Sequence, residues 1–402
     1  MKRILFLYAN SHQKHLFSFI LKNLPSNYQG DLLALKGFAV KNLFSLFSRS
    51  LTSRRLDKMA ADHMILFSTK RMSVRYPLIK TIYPLVRFIQ LIRAQVYYRI
   101  FLVYFQTYRP DLVILWSGQA LPLAAAVAAA RRLSIKLLFC ENGYLPHTIV
   151  MDPVGVNAHN ELASKTREFY DKVVVDKKRL QQLMDDRLQA RPLKNKFPGK
   201  QADIFEAEQH IQLPEEFVLL ALQVFDDSQI LLYSPRFLGM PQLVSYCAKE
   251  IRRFNSKYNR NLKLVVKEHP SDFGRSNYDK LKAEFGDTIF IKTISSQELI
   301  AKSKAVITVN STVGIEGLFC SKPVITMGEA FYNVPGLVYH LEEKEELAEK
   351  IDQALQNEVD HGLIEKFLYY LRFNYLVNLD RRQLDGADPK EACNKIESML
   401  NN

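Results

Sequence analysis

The sequence predicts an α/β fold of two Rossmann-like domains facing a cleft, and three observations carry that expectation. Apolar runs of strand length, each followed by a turn and a helix-period segment, recur in both halves of a chain of 402 residues. Residues 111–116 (Asp-Leu-Val-Ile-Leu-Trp), Gly118, residues 120–133 and residues 135–140 read as strand, turn, helix and strand, the βαβ unit of a parallel sheet. In the second half, two apolar strands end on polar runs. Residues 262–266 lead into Lys267, Glu268, His269 and Pro270, and residues 305–309 lead into Asn310, Ser311, Thr312, Val313, Gly314, Ile315, Glu316 and Gly317. A parallel sheet delivers such runs to its carboxyl edge, where open α/β folds bind ligands.

Taken in order, residues 3–8 form a first strand. The basic start is followed by only a short apolar run and then by Asn10 to Lys14, which fits a strand and its loop and not a signal peptide. Residues 15–24 have helical period, residues 36–107 read as mostly helical, and residues 161–185 as helical and charged. Residues 191–216, with Pro192, Pro198, Gly199 and Pro214, lack periodicity and are the candidate linker. A second α/β series follows: strands 217–222, 262–266, 288–292, 305–309 and 323–327, a helix near 242–255 and another at 342–355. The expected organisation is a first domain over 1–190 with an insert at 36–107, the linker, a nucleotide-binding domain over 217–360, and C-terminal helices over 361–402.

A hydrophobic share of 48% with 24% charged residues is that of a soluble globular chain, and no uninterrupted apolar run of about twenty residues suggests a membrane span. Cys140, Cys247, Cys320 and Cys393 are scattered without metal-ligand or redox spacing, so no metal is expected and the cytoplasm is the expected compartment. The net charge of +13 is uneven: residues 36–107 hold thirteen lysines and arginines against Asp57 and Asp62. Among them lie aromatics at helical spacing from Pro84 onward. Two readings stand: a peripheral contact with anionic lipid on the inner face of the plasma membrane, or a solvated helix pair whose aromatics are core. A basic stripe also suits nucleic acid, but no helix-turn-helix, zinc finger or RNP-type motif is visible, and no nucleic-acid partner is expected.

Ser311 and Thr312 before a helix offer backbone N–H groups, two hydroxyls and the positive end of the helix dipole, a combination suited to phosphate. His269, from a neighbouring strand end, supplies a second donor, and Glu316 lies four residues past Thr312 on the same helix face. Singly, His-Pro is a common turn and Ser-Thr a common N-cap; together they read as a nucleotide site. Glu141, at the end of the strand 135–140 and beside Gly143, places a carboxylate on the first domain's ligand edge. Asp226 and Asp227 follow the strand 217–222. Two carboxylates from opposite domains fit acid/base or nucleophilic work at a sugar carbon.

The ordered set of residues 141–143 (Glu-Asn-Gly), 152–157 (Asp-Pro-Val-Gly-Val-Asn), 223–229 (Gln-Val-Phe-Asp-Asp-Ser-Gln), 267–270, 310–317 and 322–325 (Lys-Pro-Val-Ile) resembles the bacterial capsule-synthesis protein family. That family comprises retaining β-Kdo glycosyltransferases of capsule linkers and relatives that end O-antigen chains. The likeness runs from about Glu141 to Tyr332 and does not extend over the first hundred residues. It implies a modified GT-B fold, a CMP-β-Kdo donor, a lipid-linked glycan acceptor, no cofactor or metal, and retention through a covalent sugar–enzyme adduct. By motif, Asp227 would be the nucleophile and Glu141 the acid/base, with Asp226 the adjacent alternative to Asp227. His269, Ser311 and Thr312 would hold the CMP phosphate and Glu316 would reach the ribose or base, with Gln223 and Asn310 in the same motifs. The leaving phosphate needs positive potential, which Lys267 supplies, and the carboxylate of Kdo needs a cation, for which Arg236 is the candidate. Phosphate-reading loops do not read the sugar, so a CMP-sialic acid or a CDP-polyol phosphate donor stays open, as does a non-catalytic nucleotide-binding module of a polysaccharide assembly complex.

Overall fold

A computed structural model of the chain describes residues 1–38, 58–189, 211–237, 239–272, 276–342 and 347–401. Lys41, Arg49, Arg54 and Arg55 of the expected insert, and most of the expected linker, lie outside the described residues. The chain divides into two compact units, residues 1–161 with 372–402, and residues 162–371. The expected boundary at 190 therefore moves to 161, and the expected C-terminal helical segment is split. Residues 361–371 stay with the second unit and the rest returns to the first.

The first unit is built on β1 (Lys2–Tyr8), β2 (Tyr28–Ala34), β3 (Leu112–Trp116), β4 (Lys136–Asn142) and β5 (Ile149–Asp152), in the order β2-β1-β3-β4-β5. The first four run parallel and β5 pairs antiparallel to β4. Alternation along β1 explains why helices cover both faces. Leu5 and Leu7 pack with Phe101 and Phe105 of the helix Tyr83–Tyr108 and with Ala125 and Ala129 of the helix Leu123–Arg132. Ile4 and Phe6 pack on the other face with Phe17 and Ile20 of the helix Ser11–Lys22 and with Ile396 and Leu400 of the helix Lys390–Asn401.

The hairpin β4–β5 is not marked in the sequence, because β5 has only four residues. Gly143 permits it: a Cβ there would stand 1.9 Å from the Thr148 hydroxyl oxygen. Within 152–157, Asp152, Gly155, Val156 and Asn157 are buried, whereas Val154 is 52% exposed. The Asp152 carboxylate is fully buried and accepts from the N–H groups of Val154, Gly155 and Glu161 and from the hydroxyl of Tyr375. A motif that looks too polar for an interior is tolerated because its buried oxygens are satisfied.

Among the described residues the second unit holds six strands, all parallel, β6 (Phe217–Ala221), β7 (Lys263–Lys267), β8 (Ile289–Ile291), β9 (Ala305–Thr308), β10 (Val324–Thr326) and β11 (Tyr339–His340), in the order β11-β10-β9-β6-β7-β8. Val218, Leu220, Leu264, Val266 and Ile307 face the helices Met240–Tyr258 and Leu347–Gln356, and Phe217, Leu219, Val265 and Val306 face the helix Ser296–Lys302. The strand order reverses direction at β6, with β7 on one side and β9 on the other. That is the topological switch point at which a parallel sheet opens a crevice.

Candidate functional site

The two polar runs reach the carboxyl edge of the second sheet on either side of the switch. The register pairs Ala221 with Lys267 and Leu220 with Ile307, so Gln223, His269 and Asn310 all emerge at one edge. With β6 between them, the ends of β7 and β9 lie roughly 10 Å apart at ordinary strand spacing.

Gln223, just after β6, and Asn310, just after β9, tie those two neighbouring strand ends together. The Gln223 amide donates to Asn310 Oδ1 at 2.9 Å, the Asn310 backbone N–H donates back to Gln223 Oε1 at 3.3 Å, and Asn310 Nδ2 donates to the carbonyls of Gln229 and Tyr233. Both side chains are buried. Their polar groups are engaged within the protein, which makes them braces of the crevice floor.

Lys267 is likewise buried, its ammonium donating to the carbonyls of Glu268 and Lys292 at 3.0 and 2.7 Å. It acts beneath the edge as a fixed positive charge, and His269 registers it. Burial first, and Lys267 second, hold the His269 imidazole below its ordinary pKa, while Asp272 and Asp227 pull the other way. The Ser271 N–H donates to His269 Nδ1 at 3.1 Å. A backbone amide can only donate, so Nδ1 carries the lone pair and the neutral ring holds its proton on Nε2. His269 is thus a neutral donor and not a cation.

Asp227 caps the helix Ser228–Tyr233, accepting from the Gln229 N–H at 3.0 Å and the Ser228 hydroxyl at 3.2 Å, and its side chain is exposed near enough to His269 to affect its titration. Asp226 is 2% exposed. The neighbouring acids, equivalent in sequence, therefore face opposite environments.

At the other loop, Ser311 stabilises its own helix start. Its hydroxyl accepts from the Val313 N–H at 3.2 Å and its carbonyl accepts from the Gly314 N–H at 3.0 Å. Two amides that the sequence offered to a ligand are thereby engaged. Thr312 occupies the N-cap position of the helix Val313–Phe319 without a side-chain cap bond and is exposed. Tyr332, fully buried, donates its hydroxyl to the Ser311 carbonyl, and a Cβ on Gly314 would stand 2.5 Å from that hydroxyl. Gly317 lets the same helix lie against Val306 and Val324.

Glu316 points back to a partner the sequence did not reveal. Arg187, from the helix Lys177–Gln189, stands 3.7 Å from Glu316 Oε1 and lies over the Phe319 ring. Burial raises the Glu316 carboxyl above its ordinary range and Arg187 opposes the rise. Nothing in the local pattern of residues 177–189 marks Arg187, because the pairing spans more than a hundred residues. Arg236 donates to the Leu341 carbonyl and lies near His340, whose pKa is lowered by burial and then by Arg236. It stands on the β10–β11 side of the switch, the flank opposite His269.

Glu141 belongs to the first unit. It lies within β4, paired with Val150 of β5, and not in the loop after the strand; its Oε1 accepts from the Asn142 N–H at 2.8 Å and the Asn142 side-chain amide at 3.1 Å.

The family described as capsule polysaccharide biosynthesis protein matches residues 177–376, from the helix carrying Arg187 to the residue after Tyr375. That match covers 200 of the 402 residues, and it is to the family that the motifs of this chain resemble. Among relatives, protein FixF of Sinorhizobium fredii is 30% identical over 232 residues, covering 56% of this chain and 50% of FixF. The capsule polysaccharide export protein KpsS of Escherichia coli is 28% identical over 274 residues, covering 56% of this chain and 69% of KpsS. The chain thus spans about half the length of FixF. A solved structure of Thermosulfurimonas dismutans KpsC, a β Kdo 2,7 transferase, aligns with 100% of this chain and 99% of its own at a TM-score of 0.50 and 15% identity, a shared fold of two Rossmann-like units.

Proposed function

We propose that this chain is a glycosyltransferase that moves Kdo from CMP-β-Kdo to a surface-polysaccharide acceptor, of capsule or O-antigen type, with retention of configuration. The observation that carries the reading is the placement of an exposed carboxylate, Asp227 after β6, and a donor, His269 after β7, at the same switch-point edge of a parallel sheet. The family match and the fold shared with a Kdo transferase support it.

In this reading the Asp227 carboxylate attacks the anomeric carbon as the bond to the CMP phosphate oxygen breaks, its electron pair leaving with the phosphate. His269 Nε2–H and the Thr312 hydroxyl donate to the departing phosphate, and buried Lys267 contributes positive potential. The acceptor oxygen then attacks the anomeric carbon and releases Asp227, its proton passing to a general base, the role that the family motif gives to Glu141. Exposure favours Asp227 over Asp226 as nucleophile. Gln223 and Asn310 fix the ends of β6 and β9 relative to each other, Glu316 with Arg187 borders the nucleotide, and Arg236 receives the Kdo carboxylate through donors other than the one given to Leu341.

The test is incubation with a panel of CMP- and CDP-activated sugars, following nucleotide release, together with intact-mass spectrometry. CMP release from CMP-Kdo alone, and a Kdo adduct mapped to Asp227 in a Glu141→Gln variant, are expected. An adduct on Asp226, an Asp227→Asn enzyme of near-normal rate, or preference for another donor would overturn the corresponding assignment.

A further inference from the structure

The helix Tyr83–Tyr108 buries Val86, Gln90 and Ala94 against the first unit and turns a second apolar stripe outward. Leu85, Phe88, Ile89 and Ile92 fall at positions i, i+3, i+4 and i+7, one helical face, and each is between 46% and 59% exposed. The segment leading into the helix extends the patch, with Tyr76 at 59%, Leu78 at 86% and Ile82 at 50% exposed. Single exposed apolar residues need no explanation, but seven within seventeen positions form a patch of the kind that marks an interaction surface.

Charge selects the occupant. Among residues 58–108 there are eight lysines and arginines and one acid, Asp62, which is paired with Arg87. Lys70, Arg75, Lys80 and Arg93, around the patch, are exposed. A second copy of the chain docking here face to face would set like charges against each other, since a two-fold contact repeats the same surface on both sides. An anionic bilayer offers apolar depth for the stripe and phosphates for its rim. We propose that residues 76–92 form a membrane-docking surface, with Leu78, Ile82, Leu85, Phe88, Ile89 and Ile92 entering the headgroup–acyl boundary and the flanking cations resting on anionic phospholipid. This goes beyond attraction by the basic segment alone, because burial of the stripe resists salt while the rim does not. It is also independent of the donor sugar.

The test is sedimentation of the full chain with phosphatidylcholine vesicles, with and without phosphatidylglycerol, at low and high salt. A quadruple variant, Leu85→Ser, Phe88→Ser, Ile89→Ser and Ile92→Ser, replaces only exposed side chains. It should lose vesicle binding about tenfold or more, at both salt concentrations. A second variant, Arg75→Glu, Lys80→Glu and Arg93→Glu, should lose the preference for phosphatidylglycerol. CMP release with a soluble acceptor is measured in parallel and should be unchanged, so failure of docking and failure of the transferase reading are separable. No sedimentation of the wild type with either vesicle, equal binding by the quadruple variant, or a dimer by light scattering that the quadruple variant abolishes would each overturn the proposal.

Discussion

Replacing Asp152 probes the most heavily engaged carboxylate of the first unit. Its Oδ1 accepts from the N–H groups of Val154 and Gly155 at 2.7 and 3.0 Å, and its Oδ2 accepts from the Glu161 N–H at 2.9 Å and the Tyr375 hydroxyl at 2.8 Å. Asp152→Ala leaves three backbone donors and a hydroxyl without their partner in a fully buried place. An orphaned buried group costs about 1–3 kcal/mol, and a water entering the vacated space keeps each near the lower end, so a loss of about 4 kcal/mol is expected. That is a large part of the roughly 5–15 kcal/mol that typical domains possess. Asp152→Asn keeps the shape. With its oxygen toward Val154 and Gly155, its amide meets the Glu161 N–H donor to donor, while the Tyr375 hydroxyl can rotate to accept. One orphan remains, worth about 1–3 kcal/mol, and Tyr375→Phe should cost about 1–2 kcal/mol. The assay is urea unfolding followed by fluorescence. Trp116 is the chain's single tryptophan and lies on β3, so its emission reads the first unit alone. An Asp152→Ala midpoint within error of wild type, or an Asn variant less stable than the Ala variant, would refute the account.

Three further outcomes follow from the second unit. Gly314→Ala should destabilise by about 1–3 kcal/mol through overpacking against Tyr332, read as a lowered thermal midpoint, and should weaken CMP binding by displacing Ser311. Because the folded His269 and His340 titrate below the ordinary histidine value, the unfolded chain binds protons first as pH falls. Stability is therefore lost as pH drops below about 6.5 toward the folded pKa values, and His269→Gln should make the urea midpoint less steep between about pH 7 and 5. Arg187→Met removes the charge that opposes the rise of Glu316, so the carboxyl should titrate higher still, and the pH profile of CMP binding, measured calorimetrically, should shift upward while Arg187→Lys largely restores it.

Much of this protein was legible in one dimension because the governing interactions are local. Apolar runs bounded by turns located β1, β3, β4, β6, β7, β8, β9 and β10, and parallel strands buried on both faces are continuous in apolar character. The same logic set His269 and Ser311 at strand ends and so at one sheet edge. β2, β5 and β11 escaped: β5 and β11, with four and two residues, carry too little periodicity, and β2 is an edge strand with none of its residues fully buried. The return of residues 372–402 to the first unit also escaped, because the contacts that hold it, Tyr375 to Asp152 and Lys136 to the Met399 carbonyl among them, join residues that no sequence window contains together.

Side-chain roles divided along the same line. The sequence determined which residue types lie near the edge: a histidine, a Ser-Thr pair, and adjacent acids. Only tertiary structure decided that Gln223 and Asn310 engage each other, that Lys267 lies beneath the surface, that His269 is a neutral Nε2–H donor, that Asp227 is exposed while Asp226 is buried, and that Glu316 answers to Arg187. Residue identity fixes what a group can donate, accept or ionise. Its partners and its exposure to water, which set whether it does so, arise only when distant segments pack together.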